Sequence, residues 1–565
     1  MRVGIVGTGP AVEAIEAALA DVNATPTKTV PDDADEWDLG VVVGTAGEAA
    51  FGTVAGTATP WLAVELGGVG GYPVVDAAVS GYRPGTACYD CLRGRVGANV
   101  EQDADPVPAP GASAARFAGA VAGNAAASFV AGEDHPAFGG VVELPYAERR
   151  VLPLPHCGCS DDPDPSPAFD HVDRSVEESL SRAELALDER VGVVGGVSEA
   201  ESFPAPYYLA RSCDTTGFSD AAAATEAAGV DAAWNAAFVK ALGEALERYC
   251  AGVYREAAFE RGTAGQLHGA VPPDQFVLPW YGDADPGTPL DWHRGQRLDT
   301  GDAAWLPAEF VVFPPPTEER RPAVTTGLGL GNGTVGAALS GLYETVERDA
   351  AMLSWYSTFE PLGLRIDDEG FESLARRARS VGLDVSAVLL TQDVDVPVVA
   401  AAVERDDWPR FALGSDADLD PAAAARSALA EALQNWMELR GMGPDDAADV
   451  DGAIGEYAAD PGEAADFVAP ERTVPAASVA PDEELAGRDE LTALSDRVVA
   501  ADLTPYVARL TTRDVASIGF EAVRVLVPAA QPLFFDDPFF GDRAEAVPRE
   551  LGFEPRTDRD HHPFP

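Results

Sequence analysis

The stretch GLYETVERDA, residues 341–350, places Glu344, Glu347, Arg348 and Asp349 inside a segment whose neighbours, AALS and AMLSWY, read as a buried helix. Residues three and four apart share a helix face. Glu344 and Glu347 therefore point the same way, and paired buried carboxylates repel unless a cation lies between them. The spacing recurs. In FVKALGEALERYCAGVY, also mostly apolar, Glu244, Glu247 and Arg248 repeat E-x-x-E-R, and in ARSALAEALQNWMELRG Glu431 and Gln434 stand at the same offset. One E-x-x-E-R alone is an ordinary solvated face with an i,i+4 ion pair. Two copies and a related third, all on apolar helices, are tolerable only with neutralising cations or dense hydrogen bonding. Hard oxygen ligands in pairs suit Mg2+, which keeps part of its water shell and bridges to phosphates, so a Mg-nucleotide site is expected.

Charge and composition exclude other classes. The 565 residues, 46% of them hydrophobic, are enough for two or three domains with their own cores. The net charge is −54, and Lys28 and Lys240 are the only lysines, so nearly all positive charge is arginine. Acidic residues spread over surface segments keep a protein soluble in concentrated salt, where screening removes the self-repulsion. This predicts a halophile's cytosol and argues against nucleic acid and anionic membranes as partners. MRVGIVGTGP runs straight into strand and turn without the charged region of an export signal, and no stretch has the length of an apolar membrane span. A soluble, cytoplasmic protein is expected.

RVGIVGTGPAVEAIEAALADV reads as strand, glycine turn and amphipathic helix, with DLGVVVGTA as the next strand, the start of a doubly wound α/β unit. Val12 stands where a dinucleotide fingerprint needs its third glycine, and no acidic residue closes the second strand, so a plain strand turn is favoured over NAD binding. Cys88 and Cys91 form C-x2-C, and Cys157 and Cys159 form C-x-C, in the same section. Four thiolates in one domain fit a closed structural zinc site, with His156 an alternative ligand; a redox pair is the competing reading, disfavoured because the C-x2-C reads as a Gly-rich knuckle that does not open a helix. Cys213 and Cys250 read as ordinary buried thiols. The Pro/Asp run SDDPDPSPAFD marks the clearest boundary. The domains expected are residues 1–160, a linker with amphipathic helix over 161–190, and 191–565, which carries an acidic insertion at about 443–495.

With these motifs in place, the second section resembles a YcaO-domain protein over about residues 190–565, through KALGEALERY, TTGLGLGNGTVGAALSGLYETVERDA, ARSALAEALQ, the DLT of residues 502–504, TRDVASIGFEAVRVLVPAAQPL and the final Pro-x-Pro. The first section resembles the ThiF-like (E1-like, Rossmann-type) zinc-binding partner domain, in CYDCLRGR and CGC. Together they resemble a fused cyclodehydratase of the SagD-like kind, giving an α/β first domain and an α+β second one. The resemblance implies an ATP-dependent enzyme that phosphorylates a backbone amide oxygen of a ribosomally made peptide and converts Cys, Ser or Thr to azolines. Thioamide formation and a noncatalytic peptide-binding scaffold are the alternatives. It implies Glu244, Glu247, Glu344 and Glu347 as Mg2+ ligands, with Arg248, Asn332, Arg348 and Gln434 on ATP or ordering the carboxylates. Two positions depart from the family pattern: Lys240 replaces a usual serine, one turn from Glu244 and placed to pair with it or to reach a phosphate, and Gly336 replaces a frequent glutamate. Residues 561–565, HHPFP, are implied to lie near the active site, with His561, Pro563 and Pro565 as catalytic candidates. Their removal is expected to stop cyclisation while sparing stability and ATP binding. A precursor peptide, a flavin-dependent dehydrogenase and a second copy of the chain are the partners implied.

Overall fold

Strand β1 (Arg2–Val6) sits inside a seven-stranded sheet with β2 (Thr25–Lys28), β3 (Leu39–Thr45), β4 (Trp61–Leu66), β5 (Ala77–Tyr82), β6 (Gly140–Leu144) and β7 (Ala147–Arg150). This is a computed structural model that describes residues 1–100, 110–145, 147–161, 163–279, 287–318, 320–450, 452–481 and 484–565. The strand order is β2-β1-β3-β4-β5-β6-β7; the first four run parallel and the last three join antiparallel. LGVVVGT is continuously apolar because both faces of β3 are covered. Val41 and Val43 pack under helices Pro10–Leu19 and Ala112–Ala131, while Val42 joins Phe51, Cys91 and Leu92 on the other side. The two helices meet closely enough that a Cβ on Gly119 would lie 2.2 Å from the Ala11 carbonyl oxygen.

The Pro/Asp segment that follows is tied down. Arg513 donates to the Ser160 carbonyl at 2.7 Å and Arg509 to that of Asp164 at 2.5 Å. A capping box between Ser175 and Glu178 then starts helix Val176–Ala183.

Three further sheets make up the rest. One is an antiparallel meander of Val194–Glu201, Tyr207–Ser212 and Glu226–Val230. The second runs Glu260–Gly262, Leu290–Arg297, Tyr506–Arg509, Glu521–Leu526 and Leu328–Gly331, with Ala303–Pro307 beside Leu290–Arg297. The third runs Phe411–Ala417, Val398–Glu404, Asp384–Leu389, Leu362–Arg365 and Thr473–Pro475. Helices Trp234–Gly252, Thr334–Trp355 and Pro421–Met442 pack between them. The acidic stretch at 443–495 is not a peripheral insertion. Its Tyr457, Phe467, Val468, Leu491 and Leu494 are buried in the core around the Thr334–Trp355 helix, and Thr473–Pro475 adds a parallel edge strand. Its described acidic residues other than Glu490 are exposed, which hides its apolar contribution in the composition. No helix among the described residues is long and apolar enough to cross a membrane.

Candidate functional site

Each of the three long helices follows a strand of a different sheet and lies on it at a glycine. A Cβ on Gly229 would sit 2.2 Å from the Ala241 nitrogen, one on Gly329 2.2 Å from the Ala337 oxygen, and one on Gly414 2.4 Å from the Ala428 oxygen. The three helices also share one frame. Glu244 and Glu247 stand ten and thirteen residues after Trp234, Glu344 and Glu347 ten and thirteen after Thr334, and Glu431 and Gln434 ten and thirteen after Pro421. One architecture, used three times, therefore brings one face of each helix to the same cleft.

They converge on a cleft of about 640 Å3. Among the described residues its lining holds seven carboxylates, Glu244, Glu247, Glu344, Glu347, Asp416, Asp418 and Glu431, against Lys240 and Arg348 as cations. Backbone and hydroxyl donors orient several of them. Ala228 N donates to Glu244 (3.1 Å), Gly327 N to Glu344 (3.0 Å), Ser415 N to Glu431 (2.7 Å) and Ser415 Oγ to Glu347 (2.6 Å). Arg248 donates to Glu244 at 2.8 Å, and Arg348 Nε lies 3.6 Å from Glu347. Asp349 turns to the opposite face and is answered by Arg543 at 2.7 Å.

Burial raises the carboxyls of Glu244, Glu347 and Glu431, in each case against the pull of a nearby arginine. Glu247 is pushed up to about 8, by burial first and then by Glu344, and burial lifts Asp416 to about 7 and Asp418 to about 6. Such groups favour positive charge beyond that of Arg248, Arg348 and Lys240. Their oxygens do not close on one point as the cysteine sulfurs do. A cleft of spaced carboxylates suits partly hydrated Mg2+ shared with phosphate oxygens better than an all-protein cage.

The other expected residues are distributed as follows. Lys240 lines the cleft but does not pair with Glu244; its Nζ lies 2.7 Å from Asp231 Oδ2. Asn332 lines the cleft and is held by Ser179 (3.0 Å) and Arg174 (3.3 Å). Gln434 donates to Glu438 at 3.0 Å. Residues 561–565 reach the site by their last member: Arg348 Nη1 donates to the Pro565 carbonyl at 2.6 Å. The His561 ring does not line the cleft. It packs on Phe534 and His562, so the expectation of an imidazole delivered to substrate is corrected; apolar packing draws it aside. Pro563 is buried, and so is Phe564, at 1% exposure. Sequence reasoning missed Asp416 and Asp418, although an SDAD ending to the apolar strand FALGSDA was the available signal, and it noted Glu431 without giving it a role. It also missed Ser415, Ser179 and Arg174, whose side chains meet partners 68 or more residues away.

A second cluster lies where the seven-stranded sheet meets the rest. Cys88, Cys91, Cys157 and Cys159 bring their sulfurs within 4.8 Å of one another, with contacts of 3.5 to 3.6 Å. Tetrahedral zinc at about 2.3 Å from each sulfur requires edges of about 3.8 Å, so the residues fit that ion; His156 is outside the four. The knuckle expectation is corrected: Cys88 is the N-cap of helix Tyr89–Asn99 and Cys91 lies in its first turn. A C-x2-C at a helix start serves a metal as well as a redox pair, and here two further sulfurs complete the set. Cys213 and Cys250 are buried away from it.

With this geometry established, the comparisons place the chain. The YcaO cyclodehydratase family model, described as ATP- and Mg2+-binding, matches residues 228–531, more than half of the chain. The chain belongs to the YcaO family. It is similar to an uncharacterized protein of Methanothermobacter thermautotrophicus, 30% identical over 224 residues, a match that covers 37% of this chain and 56% of that protein's length. Among solved structures it is similar to a heterocyclase in complex with substrate and cofactor (TM-score 0.75, 19% identity, 98% of this chain and 83% of that one). It is also similar to YcaO from Methanopyrus kandleri bound with AMPPCP and Mg2+ (TM-score 0.51, 27% identity, 63% and 91%). All three carboxylate helices fall inside the matched span.

Proposed function

We propose that this chain is an ATP- and Mg2+-dependent cyclodehydratase that converts Cys, Ser or Thr of a ribosomally made peptide to azolines. The observation that carries the reading is the shared frame, by which three helices deliver carboxylates to one cleft that lacks enough cations. The Methanopyrus relative, solved with a triphosphate analogue and Mg2+, supports the choice of ligand. Glu244, Glu247, Glu344 and Glu347 would hold Mg2+, which when bound neutralises charge on the moving phosphoryl group. Arg248 and Arg348 fix the carboxylates, and Asn332, Gln434 and Lys240 line the nucleotide's side of the cleft.

In this reading the side-chain sulfur or oxygen of the substrate gives up its proton and bonds to the preceding carbonyl carbon, the C=O π electrons move to oxygen, and that former amide oxygen takes the γ-phosphoryl group, releasing ADP. The amide nitrogen then gives up its proton, the C–O bond to phosphate breaks, and C=N forms. The balance is one water lost from the peptide for one ATP split. Residues 561–565 would act by holding Arg348 against Glu347. We assign the four cysteines to structural zinc in a ThiF-like first unit of a SagD-like fusion, in a salt-adapted cytoplasmic protein. A flavin-dependent dehydrogenase would oxidise the azoline, and a homodimer is the expected assembly. Incubation of the protein with Mg-ATP in high salt and a Cys-, Ser- or Thr-rich peptide encoded beside it tests the proposal by mass spectrometry. One water should be lost per ring, and Glu347→Gln, which removes charge without volume, should slow turnover by about 10²-fold or more. ATP-dependent mass loss unchanged in that variant would refute the site.

A further inference from the structure

Lys240 is one of only two lysines in the chain and the only one in the cleft. In the frame common to the three helices it is the sixth residue after Trp234; Ser340 and Ser427 hold that position after Thr334 and Pro421, and all three line the cleft. The second and third helices thus present a neutral hydroxyl where the first presents an ammonium. Its Nζ lies 2.7 Å from Asp231 Oδ2, and it lines the cleft together with Asp416 and Glu431. At Asp416 burial disfavours the carboxylate and Lys240 is the cation opposing it; at Glu431 burial is opposed by Arg348 first and Lys240 as well. Lys240 therefore pairs with Asp231 and shares the cleft lining with Asp416 and Glu431.

An ammonium is a compact charge with three donors on a flexible stem. Paired with Asp231 in a cleft that Asp416 and Glu431 also line, it supplies positive charge that a divalent ion would otherwise supply, and it repels such an ion from the same corner. We propose that Lys240 is a resident cation of the cleft, so that this chain takes one divalent ion fewer than the same cleft would with the serine of the other two helices. The proposal deepens the Mg-nucleotide reading and rests on it for its functional meaning, but the ion count tests it independently. Lys240 is about half exposed, so its replacement leaves the core untouched.

The test is to count tight Mn2+ sites by electron paramagnetic resonance, with metal alone, in molar KCl that screens the acidic surface. Lys240→Ser and Lys240→Gln should each bind one more tight Mn2+ per chain than the wild type, and Lys240→Arg the same number as the wild type. Equal counts in the wild type and both neutral variants overturn the proposal, as does an extra ion in Lys240→Arg. A parallel titration with a non-hydrolysable ATP analogue separates the two readings. Should the wild type bind no analogue, the nucleotide assignment fails while the Mn2+ count still decides the role of Lys240.

Discussion

Glu247 holds its carboxyl at about 8, because burial withholds water and Glu344 adds like charge, and Asp416 is lifted by burial to about 7 against the pull of Lys240. In the unfolded chain both ionise near ordinary values, about 4.3 and 3.9. Between about pH 5 and pH 8 the metal-free fold therefore keeps protons that the unfolded chain has lost. At these carboxyls stability falls as pH rises through that window, whereas the buried imidazole of His562, pushed down to about 3, contributes the opposite slope until the unfolded histidine loses its proton at about pH 6.5. In Mg2+-free buffer the melting temperature should decline from about pH 6.5 to 8, and saturating Mg2+ should flatten the decline, since the cation replaces the protons. A metal-free melting curve independent of pH across this range would contradict the account of the cleft as a set of under-neutralised carboxylates.

Helix Thr334–Trp355 shows how one element serves packing and chemistry together: Trp355 and Leu342 enter the core, Asp349 meets Arg543, and Glu344 and Glu347 face the cleft. The segment 561–565 docks against this element. Phe564 joins the same core as Trp355 and packs on Phe467, and the Pro565 carbonyl receives Arg348. The sequence led to the expectation that removing these residues would spare stability. The packing says otherwise. Phe564→Ala should cost about 3–5 kcal/mol, the range for emptying a buried aromatic site, read as a lower midpoint in denaturant titration. Nucleotide affinity should fall with it, because Arg348 loses its anchor. A variant as stable as the parent would mean that the segment rests on the surface.

Across the whole molecule, the cysteine cluster and the cleft are joined by two consecutive residues. Arg513 donates to Cys159 Sγ at 3.3 Å and to the Cys157 carbonyl at 3.0 Å, while Asp514 accepts from Arg95 and, at 2.7 Å, from Tyr249. Arg95 lies on the Cys91 helix, and Tyr249 stands two residues beyond Glu247. A buried ion pair that loses its geometry is costly because each charge is left without water or partner. Elemental analysis of the parent should find one zinc per chain, and Cys88→Ser should lose it, weaken nucleotide binding and lower the melting temperature. Parent protein without zinc, or normal nucleotide affinity in a zinc-free variant, would break this link.

The carboxylate helices were legible in the sequence because helical periodicity is local: E-x-x-E on an apolar background states both the face and its cost. The strand and turn that open the chain and the two cysteine pairs were legible for the same reason, since each rests on spacing over a few residues. That these helices share one site was an expectation drawn from their charge and from the family resemblance, but the manner of their convergence was not legible. That three helices from three sheets start in one frame, that Asp416 and Asp418 join them, that Lys240 turns to Asp231, and that 443–495 fills a core depend on contacts between residues far apart in the chain. Local pattern fixes which side chains an element presents. What those side chains meet is set by the packing of elements against one another, and only the tertiary structure decides it.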